Sequence, residues 1–304
     1  MKRHILLATD FSTRSDRALR RATMIAKLIN ATITLVHVVD NDQPLHLIDG
    51  QVNASWSMLE DSARTIGVFD GIPADARIVT GDAFSGILQV AEDVSADLIV
   101  VGPHRRQIRD IFAGTTAERI IAHSTRPVLM TAGVPTSPYD RVLIALDMDD
   151  VSKSAAQHAQ ELGFFGPAKL VAMHAFDTPA RGMMQRAMNE PAEIEHYVAV
   201  EARLAADRFA AFVTETELYP ERQRTRPING SAARTILEAA QEEDAALIIL
   251  GTSQRKGLGR FMLGSVAEDV LSDADRDVLV VPMPEGSTIP KPFSFRICPP
   301  EFVV

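Results

Sequence analysis

The 304-residue chain spells out one pattern twice, and any fold it adopts has to accommodate that repetition. Ile5-Leu-Leu-Ala-Thr-Asp10 returns as Leu143-Ile-Ala-Leu-Asp147, with the two aspartates 137 residues apart. The same offset of 137 relates His37, in Leu35-Val-His-Val38, to His174, in Val171-Ala-Met-His-Ala175. Further along, Gly81 answers Gly230, and Asp97-Leu-Ile-Val-Val-Gly102 answers Ala246-Leu-Ile-Ile-Leu-Gly251, both at an offset of 149. Gly114-Thr-Thr-Ala-Glu118 then answers Gly264-Ser-Val-Ala-Glu268 at an offset of 150. The offsets require two copies of one domain, the second with an insertion within Asp177–Thr216 that carries Met183, Met184 and Met188. That segment reads as an extra helix packing an apolar face on the body, or as an adaptable methionine-rich surface.

The domains are expected over 1–133 and 141–283, with a linker at 134–140 inside the Pro-, Gly- and Ser-bearing stretch Thr131–Pro138. Residues 284–304 have no counterpart in the first copy and form a C-terminal tail. No apolar run approaches the ~18 residues of a membrane span, and the N-terminus turns polar at Thr9-Asp10, too early for a signal-peptide core. Cys298 is the single cysteine, which leaves no intramolecular disulfide or multi-thiolate zinc site. A cytoplasmic protein without a membrane span is expected. The net charge of −9 argues against a general nucleic-acid binder, whose affinity comes from clustered Lys and Arg.

Within each copy, short β-branched runs alternate with helical patterns. Ile5–Thr9, Thr32–Val39, Leu98–Val101 and Val128–Met130 are too short for helices. Ala18, Ala22, Ile25, Ala26 and Ile29 share one helical face, as do Ile87, Leu88, Ala91 and Val94. Strands apolar on both sides and alternating with helices imply an α/β fold: two tandem doubly wound domains, each a five-stranded parallel sheet covered on both faces.

Such sheets bind ligands beyond the carboxyl ends of their strands, where the strand order reverses. Asp10 and Asp147 stand there, as acceptors for a ribose or base or as turn and cap residues. His37 and His174 read as partly buried histidines hydrogen-bonded at a strand end, since no partner lies at metal-ligand spacing. After Gly102 and Gly251, each copy runs through a basic loop (Arg105, Arg106, Arg109; Arg255, Lys256, Arg260) into Gly114-Thr115 or Gly264-Ser265 at a helix start. Backbone N–H groups there can hold a phosphate. The same hydroxyls also open capping boxes, Thr115-x-x-Glu118 and Ser265-x-x-Glu268. No P-loop, nucleophile elbow or H-E-x-x-H pair is present, and no nucleophile, base and orienter can be assembled.

The run Leu250–Leu271, the opening Ile-Leu-Leu-Ala-Thr-Asp-Phe-Ser12 and the strand ending His37-Val38 resemble the universal stress protein family, and the resemblance extends to about Pro282. It implies a tandem member, a stress-response binding or regulatory protein, whose last strands, Val128–Met130 and Val278–Val281, meet as a pseudo-dimer within the chain. One branch of that family binds ATP through G-x2-G-x9-G-[ST]. Carried over by position, the resemblance implies an ATP or other adenine-nucleotide site, with or without Mg, at Asp10, Val38, Gly102, Gly114 and Thr115. In the second copy it implies Asp147, Ala175, Gly251, Gly264 and Ser265. Both copies depart at the second glycine, where Arg105 and Gln254 stand, and the first spacing is one residue short. A Cβ at that point blocks the backbone's approach to phosphate. A nucleotide-free dimeric scaffold acting on a protein partner, and a slow ATPase, are the alternative functions; a homodimer of whole chains is compatible with all three.

Overall fold

The computed structural model describes residues 2–103, 115–253 and 263–283, together with the backbone of 255–257 and 260–262. The first copy runs β1 (His4–Ala8), α1 (Thr13–Ile29), β2 (Thr32–Val39), α2 (Leu45–Thr65, continued by a π-helical turn at Ile66–Asp70), β3 (Ala74–Thr80), α3 (Ala83–Asp93), β4 (Leu98–Val101), α4 (Thr116–His123) and β5 (Val128–Met130). The second begins β6 (Arg141–Ala145), α5 (Asp150–Glu161), β7 (Lys169–Phe176), α6 (Arg181–Arg186), α7 (Pro191–Glu215) and β8 (Arg222–Pro227). It continues α8 (Ala232–Glu242), β9 (Leu247–Thr252), a hairpin of β10 (Arg255–Gly257) and β11 (Arg260–Met262), α9 (Ser265–Asp273) and β12 (Asp277–Pro282).

The helices start where the sequence supplies caps. The side chains of Ser12, Asp82, Asp149 and Ser231 each accept from a backbone N–H in the first turn of α1, α3, α5 and α8. Alanines line the buried faces of α1 (Ala18, Ala22, Ala26) and α5 (Ala155, Ala156, Ala159), so both helices lie close on the sheet.

The two five-stranded sheets join into one of ten strands, in the order β3-β2-β1-β4-β5-β12-β9-β6-β7-β8. Every pairing is parallel except the seam, where β5 runs antiparallel to β12 with Leu129 opposite Leu279. The last strands therefore meet as the resemblance implied. Because the sheet is continuous, the core forms two slabs that cross the domain boundary. One lies under α1, α2, α5 and α7, and the other under α3, α4, α8 and α9. Alternation holds across the seam: Leu129 and Leu279 enter the first slab, Val128, Met130, Val278 and Val280 the second. Each such buried side chain contributes about 1.5–3 kcal/mol.

A buried polar cluster locks the two halves. Arg21 of α1 donates to Asp277 of β12 at 2.8 Å and to the carbonyl of Ser137 at 2.8 Å. The Tyr139 hydroxyl donates to the same carboxylate at 2.6 Å and the Gly133 N–H donates to it at 2.9 Å, so the segment between the copies is tied down at three points. The Arg21 guanidinium also lies 4.1 Å from the Tyr139 ring centre.

Of the two readings of the methionine-bearing segment, the helix packed by an apolar face on the body does not hold for α6. No residue of α6 is buried, and Met183 and Met188 are 59% and 91% exposed. The six-residue helix carries no continuous apolar stripe that could be driven onto the body.

Candidate functional site

In both copies the strand order reverses at the first strand, between β1 and β4 and between β6 and β9, and a cavity opens at each reversal. The first, of about 380 Å³, is lined by Asp10, Val38, Gly102 and Thr115 among others. The second, of about 920 Å³, is lined by Asp147, Ala175, Gly251, Gly264 and Ser265. Nine of the ten residues singled out from the sequence thus gather around two equivalent cavities. The tenth, Gly114, lies outside the described residues, as do Arg105 and Gln254.

Neither aspartate caps a helix. Asp10 forms a turn, accepting from the Ser12 N–H at 3.0 Å, from the Ser12 hydroxyl and from the Ser15 hydroxyl at 2.7 Å, with Arg14 at 3.9 Å. Burial works against its charge, but the bonds from Ser12 and Ser15 and the charge of Arg14 outweigh it and hold the carboxyl below its ordinary range. Asp147 has no such support: among the described residues its carboxylate accepts no hydrogen bond, and the His174 ring Nδ1 stands 3.9 Å away. Desolvation in the crowded concavity pushes its carboxyl up, opposed by His174 and reinforced by Asp149 and Asp177. Its side chain is nonetheless 85% exposed by area, so water screens much of that effect.

The repeat extends to backbone strain. The residue after each aspartate, Phe11 (φ 58°) and Met148 (φ 56°), is left-handed, which turns the chain sharply from strand into helix. The offset of 137 also pairs Ser15, which bonds Asp10, with Ser152, whose hydroxyl accepts from the Asp147 N–H at 2.8 Å. Both features were within reach of the offset. Arg208 and Glu201 were not: they line the second cavity from α7, beyond the insertion.

His37 and His174 sit as expected. Each ring Nδ1 lies 2.8 Å from the carbonyl that ends the neighbouring strand region, Thr9 and Leu146. A carbonyl only accepts, so Nδ1 carries the proton in both. Phe11 and Phe209 pack on these rings, at 4.6 Å and 5.8 Å between centres.

The glycines divide into two kinds. A Cβ on Gly251 would meet the Val151 carbonyl oxygen at 2.9 Å, and one on Gly102 the Arg14 carbonyl oxygen at 3.3 Å. These two are glycine because the first turn of α5 or α1 lies on them. Gly264 has nothing within 4 Å and φ −62°, so the protein's own packing makes no demand for glycine there.

The helix starts also diverge. Thr115 and Glu118 form the reciprocal capping box at α4. The corresponding box does not form in the second copy: Gly264 is the N-cap of α9, no side chain caps it, and Ser265 is already inside the first turn. With no Cβ at the cap and its hydroxyl residue one position on, α9 presents its first N–H groups to the cavity without a side-chain acceptor.

The universal stress protein family model matches residues 1–132 and again 138–282. The chain belongs to the universal stress protein family. As a tandem member it is 25% identical over 298 residues to a universal stress protein of Mycolicibacterium smegmatis, covering 91% of this chain and 96% of that one. A universal stress protein of Methanocaldococcus jannaschii is 32% identical over 153 residues, 48% of this chain and 84% of its own. Among solved structures, a universal stress protein from Archaeoglobus fulgidus superposes with a TM-score of 0.67 at 21% identity, over 92% of this chain and 98% of that chain. That likeness concerns the fold. Among the described residues of this universal stress protein, no helix is long and apolar enough to cross a membrane. Nor do three or more His, Cys, Asp or Glu side chains there come together as a metal site.

Proposed function

We propose that this tandem universal stress protein is a regulatory binding protein that holds an adenine nucleotide in at least one domain, without rapid turnover, and passes its state to a protein partner. The observation that carries this reading is the uncapped start of α9 facing the cavity that also contains Asp147. Backbone N–H groups at a helix start favour phosphate, each charge-assisted bond contributing about 1.5–3 kcal/mol. The open space at Gly264 admits a phosphate where a side chain would stand. Asp147 lines that cavity, and Asp10 the corresponding cavity of the first domain, each as an acceptor for ribose hydroxyls. Thr115 leaves its hydroxyl proton free while its oxygen caps α4, so the first domain keeps a donor. Any Mg accompanying the nucleotide would rest chiefly on the phosphate oxygens.

The reading is tested by denaturing freshly purified protein and identifying released nucleotide by mass spectrometry, followed by calorimetric titration with ATP, ADP and AMP. Near-stoichiometric nucleotide, or saturable binding, supports it. No released nucleotide and no binding up to about millimolar ligand, the weak end of the affinity scale, would leave the scaffold reading in its place.

A further inference from the structure

The two edges of the ten-stranded sheet, β3 and β8, are built differently. β8 ends on Pro227, which has no N–H, and sets Arg222, Arg224 and Arg226 on one face, where Glu242 and Glu243 hold them. A second β8 laid against it would oppose cation to cation. β3 (Ala74–Thr80) contains no proline, and its two charged residues, Asp75 and Arg77, have opposite signs.

The inner bonding of β3 fixes what it offers outward. The Ile33 N–H donates to the Pro73 carbonyl at 3.0 Å, and the Gly81 N–H donates to the Val39 carbonyl at 2.9 Å. With the parallel register Ile33–Ala74 to Val39–Thr80, these bonds make Asp75, Arg77 and Val79 the residues tied to β2. The N–H and C=O groups of Ala74, Ala76, Ile78 and Thr80 therefore face away from the sheet, and no residue of β3 is buried. Asp75 and Arg77 are exposed, and neither makes a hydrogen bond or ion pair among the described residues. They lie on the face opposite Ala74, Ala76 and Ile78, which pack toward α2.

Charge selects one register for self-pairing. In an antiparallel pair of β3 strands, the outward groups meet only where both opposed residues are even-numbered. Of the central registers that satisfy this, one opposes Asp75 to Asp75 and another Arg77 to Arg77. The register centred on Ala76 against Ala76 sets Asp75 opposite Arg77 on both sides of the axis. These fall at the non-hydrogen-bonded pairs, where cross-strand side chains lie closest.

The cover of the edge agrees. Asp61, Ser62 and Thr65 of α2 line a groove against α1, whereas Leu45, Val52 and Trp56 share the opposite flank, on the free side of β3. Leu45 and Trp56 are 78% and 45% exposed in the single chain. α2 packs on β2 and β3, so α2 and its copy across the joint would stand about two strand spacings apart, about 10 Å, which is a helix-packing distance. We propose that β3 is a docking edge for a second copy of this chain, joined antiparallel about a two-fold axis at Ala76, with Asp75 of each copy facing Arg77 of the other. No residue of β3 lines either cavity, so the joint leaves both open and does not depend on the nucleotide reading.

Sedimentation equilibrium of the full chain, up to about 100 μM, tests the joint. The wild type is expected to dimerise. Asp75→Arg and Arg77→Asp, each alone, oppose like charges at both pairs and should raise the dimer Kd about tenfold or more. An equimolar mixture of the two variants restores opposite signs at every pair and should form a heterodimer of near wild-type affinity. Both positions are exposed, so circular dichroism should show the variants folded. A wild type that stays monomeric would overturn the inference. So would a dimer that survives both charge reversals, variants that do not rescue each other, or open-ended assembly, which would mean that β3 seats on β8 of the next copy.

Discussion

Arg21 and Asp277 lie 256 residues apart in sequence and meet at 2.8 Å in the buried heart of the molecule, one from each copy of the repeat. Asp277 also receives Tyr139 and the Gly133 N–H, so its carboxylate is fully engaged at 0% exposure. Loss of solvation is offset here by three donors rather than by the ion pair alone. Burial, followed by the Asp277 charge, drives the Tyr139 phenol well above its ordinary value, so it stays a donor throughout the working pH range. The cluster fixes how the copies register against each other, while the apolar seam of β5 and β12 supplies most of the burial.

Removing both partners of this pair should therefore cost less than the two single removals together. Arg21→Met leaves a buried carboxylate with two neutral donors and is expected to destabilise the protein by about 3–5 kcal/mol. The double variant Arg21→Met with Asp277→Leu should lose distinctly less than the sum of the single changes. Urea unfolding of the four proteins gives the coupling directly, and strict additivity would show that the pair does not act as a unit.

Gly251 and Gly102 should respond unequally to alanine. At Gly251 the added Cβ meets backbone and side-chain atoms of Val151 at 2.9 Å, which forces α5 to move. At Gly102 the nearest atom, the Arg14 carbonyl oxygen, is at 3.3 Å. Gly251→Ala is expected to cost about 1–3 kcal/mol, the range for overpacking, and Gly102→Ala less. Denaturant midpoints with unchanged slopes would establish the order, and a reversed order would refute the packing account.

The methionines of the insertion should be dispensable for stability. Met188→Gln and Met183→Gln remove apolar groups that already face water, so each should stay within about 0.5 kcal/mol of the wild type. A larger loss in urea unfolding would mean that α6 is covered in solution.

Much of this architecture was legible because repetition samples one fold twice. The shared Ile-Leu-Leu-Ala-Thr-Asp and Leu-Ile-Ala-Leu-Asp runs set the first strands, and the glycines at 102 and 251 marked the ends of β4 and β9. Periodicity within each copy then gave the layers. The pairing of β5 with β12 came from family resemblance, since no local pattern in Val128–Met130 distinguishes an interface strand from an edge. Two further features were hidden for physical reasons. Gly264-Ser265 and Gly114-Thr115 look alike, but moving the cap by one residue switches a satisfied helix start to an open one. Arg208 was invisible because the insertion shifts the offset, and an arginine in mid-helix looks like any solvated charge until the fold places α7 beside the cavity.

The two strand-end aspartates should give stability profiles of opposite sign. Hydrogen bonds hold the folded-state pKa of Asp10 below its unfolded value, so its charge stabilises the fold above about pH 4 and that contribution disappears as pH falls through the lowered value. Asp147 is raised, so its contribution is present below about pH 4 and is lost as pH rises through the raised value. At neutral pH its charge then works weakly against the fold, since water reaches most of the side chain. Asp10→Asn should accordingly be less stable than the wild type at pH 7, and Asp147→Asn more stable. Both differences should shrink toward strongly acidic pH, where the wild-type carboxyls are protonated. Denaturant midpoints of the three proteins at pH 7 and near pH 3 provide the check. Shifts of the same sign at pH 7 would show that the two copies do not treat this carboxylate differently.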